Sequence, residues 1–203
     1  LSDSFFSRLR ILTFDPMFLI CAAIRLIAVF LALTWMMDIW FLPFVRSFLE
    51  HGTLDTWSHF LGGGGIPGAY PNRPVMLLVH SLGAGIGHIA DKLTGASFIF
   101  EIGFKSSLLL ADLFCLLLLD RLFPNKTRRL IIYYWLSPIV IVAVYWVGQN
   151  DIIPLTLFVY GLFWTKRHRF NLAGLCFGLA VGAKFSMAVG LPFFAIYLWR
   201  NKK

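Results

Sequence analysis

The chain has 203 residues, 59% of them hydrophobic and 14% charged, with 18 Lys and Arg against 10 Asp and Glu for a net charge of +8. Soluble domains are about 45–50% apolar and about 25% charged. A soluble globule of this size could not hide so much apolar surface, so the bilayer must be the solvent for most of the chain. The positive charge does not point to nucleic acid. The basic residues form no continuous face and fall in short clusters between apolar runs, the pattern of cytoplasmic loops.

Residues 1–16, with Arg8 and Arg10, read as a cytoplasmic lead-in. Residues 17–36 form the first predicted span. Arg25 lies within it, and a lone Arg at that depth is expensive enough that it is expected to face other helices. The stretch 35–74 is the only long segment that is neither a clean span nor a short basic turn. It places Asp38 at the mouth of the first helix and passes through aromatics to Asp55. It then crosses Gly62–Gly65 and an AYPNRP turn at 69–74. No GK[ST] follows the glycines, so they are not a phosphate loop.

Residues 75–91 predict a short apolar helix interrupted by His80 and His88, begun by a rigid turn at Tyr70, Pro71 and Pro74. Residues 98–120 predict a strong span. Lys105 and Asp112 are seven apart in it and so share a face, which implies burial in a bundle or contact with a polar cavity. A basic turn at 121–129 leads to a predicted span at 130–147 that ends in VGQND. Another span at 152–164 is followed by the basic cluster 165–169. Residues 170–199 are too long for one untilted helix and are broken by Gly182, Lys184 and Pro192, so they predict a hairpin of two short spans. Gly174, Gly178 and Gly182, and the GAGIG run at 83–87, predict close helix packing in lipid. Cys21, Cys115 and Cys176 lie inside apolar runs without CxxC spacing and read as packing residues.

Charge sets the topology. With the N-terminus, 121–129, 165–169 and 200–203 on the cytoplasmic side, only Arg46, Arg73 and Lys92 fall outside, a strong positive-inside bias. This requires that 75–91 does not cross and that 37–97 forms one outer loop carrying surface or embedded helices. The expectation is an all-α, polytopic transmembrane bundle forming a single domain over 1–203. Asp38, the Gly148–Asp151 turn and Lys184 then meet on the non-cytoplasmic face.

A carboxylate at the end of a membrane helix, beside Trp35 and Trp40, is partly desolvated and shifts toward the range of a general base. Inverting sugar transfer needs such a base for the acceptor hydroxyl and cations for the leaving phosphate. Asp38 is the candidate base. Lys184, Arg73 and Lys105 are candidate phosphate contacts. Gln149, Asn150, Asp151, Tyr70 and His80 complete the candidate substrate set. Asp151 reads equally well as an N-cap for the helix that follows it. No metal-ligand set is evident, so a divalent metal has no support in the sequence.

In order and spacing these features resemble the membrane glycosyltransferases of the GT-C fold that use polyprenyl-phosphate sugars. They are most similar to the branch holding the first GPI mannosyltransferase and bacterial polyprenol-phosphate-mannose-dependent mannosyltransferases. The residues that carry the resemblance are Asp38 in MDIWFLPF, Glu50–Gly52, AYPNRP, Lys105 with Asp112, LSP at 136–138, GQND at 148–151, and GLAVGAK ending at Lys184 with Pro192 beyond. The resemblance implies an outer first loop with two short helices and an aspartate base there. It also implies a lipid-phosphate sugar donor bound in the membrane and a glycan or glycolipid acceptor. The compartment implied is the bacterial inner membrane, or the endoplasmic reticulum of a eukaryote. Two departures stand out. Asp38 lacks an acidic partner, and such enzymes are about twice this long, so the chain is expected to be a piece that is inactive alone. From another class, a transporter or flippase would line a pathway with Arg25, Lys105, Asp112 and Lys184. A non-enzymatic assembly subunit would tolerate loss of Asp38.

Overall fold

The computed structural model describes residues 12–31, 35–53, 55–70, 74–96 and 98–200, and these are helical with no strand among them. Helix α1 (Pro16–Leu31) starts where Asp15 accepts the backbone N–H groups of Met17 and Phe18 at 2.9 and 3.2 Å, with proline at the first helical position. A π-helical turn, Met37–Phe41, leads directly into α2 (Leu42–His51). Gly52, at φ +60°, ends α2. Helix α3 (Thr56–Gly62) is capped by Asp55, whose side chain accepts from the Ser58 N–H at 3.1 Å.

Helices α4 (Pro74–Thr94) and α5 (Ile99–Leu122) make a tight antiparallel pair. Asp91 closes it by accepting the N–H groups of Ile99 and Phe100 at 3.0 and 3.3 Å, two of the donors a helix start leaves open. The backbones touch: a Cβ on Gly83 would lie 2.2 Å from the Gly103 carbonyl oxygen, and one on Gly87 would lie 2.5 Å from that of Ile99. The expectation of glycine-mediated packing therefore holds at GAGIG. It fails at Gly174 and Gly178, where a Cβ would meet nothing within 4 Å, while at Gly182 it would meet Val75 at 3.0 Å.

The span expected at 130–147 is broken. Helices α6 (Thr127–Trp135) and α7 (Pro138–Val147) meet at 49°. Pro138 has no N–H to donate, and it pushes Ser137 into extended backbone (φ −60°, ψ 116°). Helices α8 (Ile152–Lys166) and α9 (Phe170–Ala183) form a second antiparallel pair. The chain then breaks at Lys184 (φ −149°, ψ 123°), passes through a 3-10 turn Phe185–Gly190, and returns as α10 (Leu191–Arg200). Phe194 packs on Phe177 with centroids 4.6 Å apart, so the predicted hairpin is present. Helix α5 is long and apolar enough to cross a bilayer alone, and α6 with α7 reach that length as a bent pair. The apolar helices α8 and α9, of 15 and 14 residues, span only about 22 Å of a core about 30 Å thick.

A buried ionic knot joins these elements. Arg25 and Asp112 pair at 2.7 Å with both side chains fully buried. The Tyr134 and Tyr145 hydroxyls donate to the two Asp112 oxygens at 2.6 and 2.9 Å. Arg25 also donates to the Trp135 carbonyl and lies over its indole, 3.8 Å from the ring centroid. The expectation that Arg25 faces other helices is met, and four helices (α1, α5, α6 and α7) converge on it. Thr156 of α8 donates to the Ala111 carbonyl, and Lys166 at the other end of α8 donates to that of Leu122. Helices α5 and α8 therefore run the same way, opposite to α1 and α9. Arg121, the 126–129 cluster and the 166–169 cluster gather at one end of the bundle. Asp38, Glu101, Lys105, Asp151 and Lys184 lie toward the other.

Removing one partner of a buried ion pair costs about 3–5 kcal/mol, because the other charge is left without compensation. Arg25→Met and Asp112→Leu are each expected to destabilise the fold on that scale in thermal unfolding in detergent, with the double variant recovering much of the loss. Gly83→Ala should also destabilise, whereas Gly174→Ala should be neutral or stabilising by about 1 kcal/mol at most.

Candidate functional site

Asp38 lies in the π-helical turn that joins α1 to α2, where the widened turn swings the carboxylate out at the mouth of the bundle. Its neighbours on α5 are Glu101 and Lys105. Partial desolvation holds the Asp38 carboxyl above the ordinary carboxylate range. The nearby Glu101 carboxylate adds to that rise, and the Lys105 ammonium opposes it. Asp38 is therefore not isolated from other acids, as the sequence implied. Glu101 comes to it from another helix and pairs with Lys105 one turn along. That i, i+4 spacing is legible in the sequence, but its nearness to Asp38 is not. Lys105 is nearly fully buried and Glu101 covers it.

The second part of the site is the corner between α7 and α8. Gly148, at φ +86°, ends the π-helical close of α7. The Gln149 amide reaches the Met36 sulfur at 4.0 Å, which ties this corner to the turn that carries Asp38. Asp151 is not the side-chain cap that was the alternative. It precedes Ile152 without a capping hydrogen bond and is instead ion-paired to Lys184 at the α9 break. Asn150 is buried, and neither its side-chain oxygen nor its nitrogen has a partner. A buried polar group in that state costs about 1–3 kcal/mol and calls for an explanation.

The other candidates sit deeper. Tyr70, at φ 52°, is fully buried against Phe44 and Phe41, and its hydroxyl has no partner. His80 is also fully buried, stacked on Phe104 at 4.0 Å. The Ser107 hydroxyl donates to the Phe104 carbonyl, so the 2.7 Å contact is His80 Nδ1–H donating to Ser107 Oγ. This leaves Nε2 as an acceptor without a partner. Arg73 lies outside the described residues. The structure thus brings Asp38, Gln149, Asp151 and Lys184 toward one end and adds Glu101. It places Tyr70 and His80 in the core behind that end.

Beside this end, α4, α5 and α8 enclose a groove of about 660 Å³. Val79, Leu82, Leu110, Phe114, Ile153 and Leu157 line it, with Ser106, Ser107 and Thr156 as its polar points. Ile153, Thr156 and Leu157 give it a wall from the first two turns of α8, the helix that follows the Gln149–Asp151 corner. A family model described as glycosyltransferase family 87 matches residues 96–202, from the start of α5 to the end of α10. The chain belongs to glycosyltransferase family 87. It is a membrane glycosyltransferase, which sets aside the carrier and the non-enzymatic subunit, and its reaction requires a sugar donor and an acceptor. The match includes Glu101, Lys105, the Gln149–Asp151 corner and Lys184, and it begins beyond Asp38 and α4. No curated protein and no solved structure matches the chain.

The Lys184–Asp151 pair is 36% and 50% exposed at the two side chains. Such a pair contributes about 0–1 kcal/mol to stability. Lys184→Ala and Asp151→Ala should therefore change the thermal midpoint in detergent little, and any loss of glycosyl transfer beyond about tenfold must come from the reaction.

Proposed function

We propose that the chain moves a hexose, mannose, from a polyprenyl-phosphate carrier to a glycan or glycolipid acceptor, with inversion, at the non-cytoplasmic face. It does so as a multi-pass integral membrane protein of a bacterial inner membrane or the endoplasmic reticulum, with the basic end of the bundle in the cytoplasm. The observation that carries the reading is the gathering at one end of a carboxylate with an upward-shifted pKa and an exposed ammonium. The first is Asp38 and the second Lys184. The helical architecture of the described residues and the family assignment support it, as does an apolar groove walled in part by the first turns of α8.

Asp38 takes the proton from the acceptor hydroxyl as that oxygen attacks the anomeric carbon. The bond from that carbon to the phosphate oxygen breaks on the opposite face, which inverts the centre. The polyprenyl phosphate leaves with the bonding electrons, and Lys184 releases Asp151 to meet the developing charge. Gln149 and Asn150 offer amide donors and acceptors at the corner where the sugar would sit, and the chain of the carrier lies along the groove between α4, α5 and α8.

A positioned general base contributes about 10²–10⁴-fold. Asp38→Asn is expected to lower kcat on that scale in the full-length enzyme with a radiolabelled polyprenyl-phosphate mannose; unchanged turnover would remove the assignment. The base works only when ionised, so activity should fall as pH drops through the raised Asp38 pKa, above the ordinary carboxylate range. Glu101→Gln takes away a charge that raises this pKa and should move the acid limb to lower pH. Lys105→Met takes away one that lowers it and should move the limb to higher pH.

A further inference from the structure

The proposed reaction needs a second substrate to approach Asp38 from a side the carrier does not occupy. Glu101 and Lys105 neighbour Asp38 from α5. Elsewhere a separate groove of about 450 Å³ begins at Ile39, the next residue in the chain. One wall is a row at every fourth position, Ile39, Pro43, Ser47 and His51, which stacks along a single face of the helix for about 18 Å. The other wall is His59 and Phe60 of α3 with the glycines that follow. At the far end the His51 and His59 rings lie 4.4 Å apart. His51 Nδ1–H donates to the Ser47 carbonyl at 3.0 Å, so its Nε2 is an acceptor.

The groove lacks a steric reason to be bare at Gly63. That residue has an ordinary φ of −81°, and a Cβ there would make only ordinary contacts at 3.5 and 3.6 Å. Gly64 differs, since its φ of +83° requires glycine, and at Gly65 a Cβ would strike the Phe60 ring at 2.3 Å. Among the described residues, the lining includes no Lys, Arg, Asp or Glu. Its polar groups are a serine hydroxyl and two imidazoles. That chemistry suits an uncharged, hydroxyl-rich group, and it does not suit a phosphate.

We infer that the groove between α2 and the Gly63–Gly65 run seats the acceptor, taking its sugar head group with a hydroxyl directed at Asp38 and the remainder held by Ser47, His51 and His59. This rests on the proposed glycosyl transfer and adds where the acceptor enters and what class of group it presents.

The test uses the full-length enzyme, a radiolabelled polyprenyl-phosphate mannose as donor, and octyl α-D-mannopyranoside as the acceptor probe. Gly63→Leu, whose Cβ would make only ordinary van der Waals contact with the His59 and Phe60 carbonyl oxygens, and the double variant His51→Ala with His59→Ala should each raise the acceptor KM about tenfold, the effect of losing about 1.4 kcal/mol of binding. The donor KM should hold. Equal movement of both KM values, or of neither, overturns the inference while leaving Asp38 as base. A second readout needs no turnover. Octyl α-D-mannopyranoside should protect His51 and His59 from diethylpyrocarbonate, followed by mass spectrometry, and should lose that effect in Gly63→Leu. Equal modification with and without the glycoside overturns the inference. Protection without any transfer by the wild type supports the sugar-binding groove and counts instead against the proposed reaction.

Discussion

The Arg25–Asp112 ion pair is the constraint on which the arrangement depends. Two charges without access to water survive only if their hydrogen-bonding capacity is used. Asp112 meets this fully, with Arg25, Tyr134 and Tyr145 around its two oxygens. Those partners come from α1, α6 and α7, so satisfying one carboxylate fixes the height and rotation of three helices against α5. Arg25 is satisfied less completely, since one terminal nitrogen has no partner. The indole of Trp135 beneath the guanidinium offsets part of that cost. Once α1 and α7 are set against α5 at this level, their ends emerge together. The turn bearing Asp38 and the Gln149–Asp151 corner are neighbours because of a contact buried between helices.

Widened helical turns then adjust what the knot has fixed. The described residues include three π-helical segments, and each is next to a group that matters. Ile131–Trp135 presents the Tyr134 hydroxyl and the Trp135 ring and carbonyl to the knot. Met37–Phe41 carries Asp38. Val142–Val147 contains Tyr145 and closes at Gly148, just before Gln149. A π turn inserts an extra residue and rotates everything beyond it, and such turns concentrate where function demands a direction that regular helix would not give.

Much of the fold was legible because hydrophobic length and basic turns are local signals. The α4, α5, α8 and α9 segments, the break at Lys184 and the collection of basic clusters at one end could all be read along the chain. The bend at Ser137–Pro138 was also written there, in a proline that cannot continue a ladder of hydrogen bonds, but the apolar run masked it. Glycine periodicity misled at Gly174 and Gly178, since spacing says that two glycines share a face but not that another helix lies on it. The candidate site was legible in its parts, Asp38, GQND and Lys184, and illegible in its contacts. Glu101 is unremarkable until α5 packs beside the Asp38 turn, and the choice of Asp151 between capping and ion pairing is made by a residue 33 positions away.

The two lysines proposed for the leaving phosphate are not equivalent, and their burial separates them. Lys105 has only 3% of its side chain exposed, and its partner Glu101 shields it from above. Moving that ammonium to a phosphate would strand Glu101 beside Asp38, placing two uncompensated carboxylates together at the site. Lys184 is 36% exposed and pairs with an Asp151 that is half exposed. Breaking a pair in that setting costs at most about 1 kcal/mol, because water replaces each partner. In the proposed reaction Lys105 is therefore a fixed charge that tunes the base, and Lys184 is the mobile cation that can meet the phosphate. The break in helix geometry at Lys184 serves this division, since a side chain at the end of α9 can turn between Asp151 and a ligand without disturbing the helix behind it.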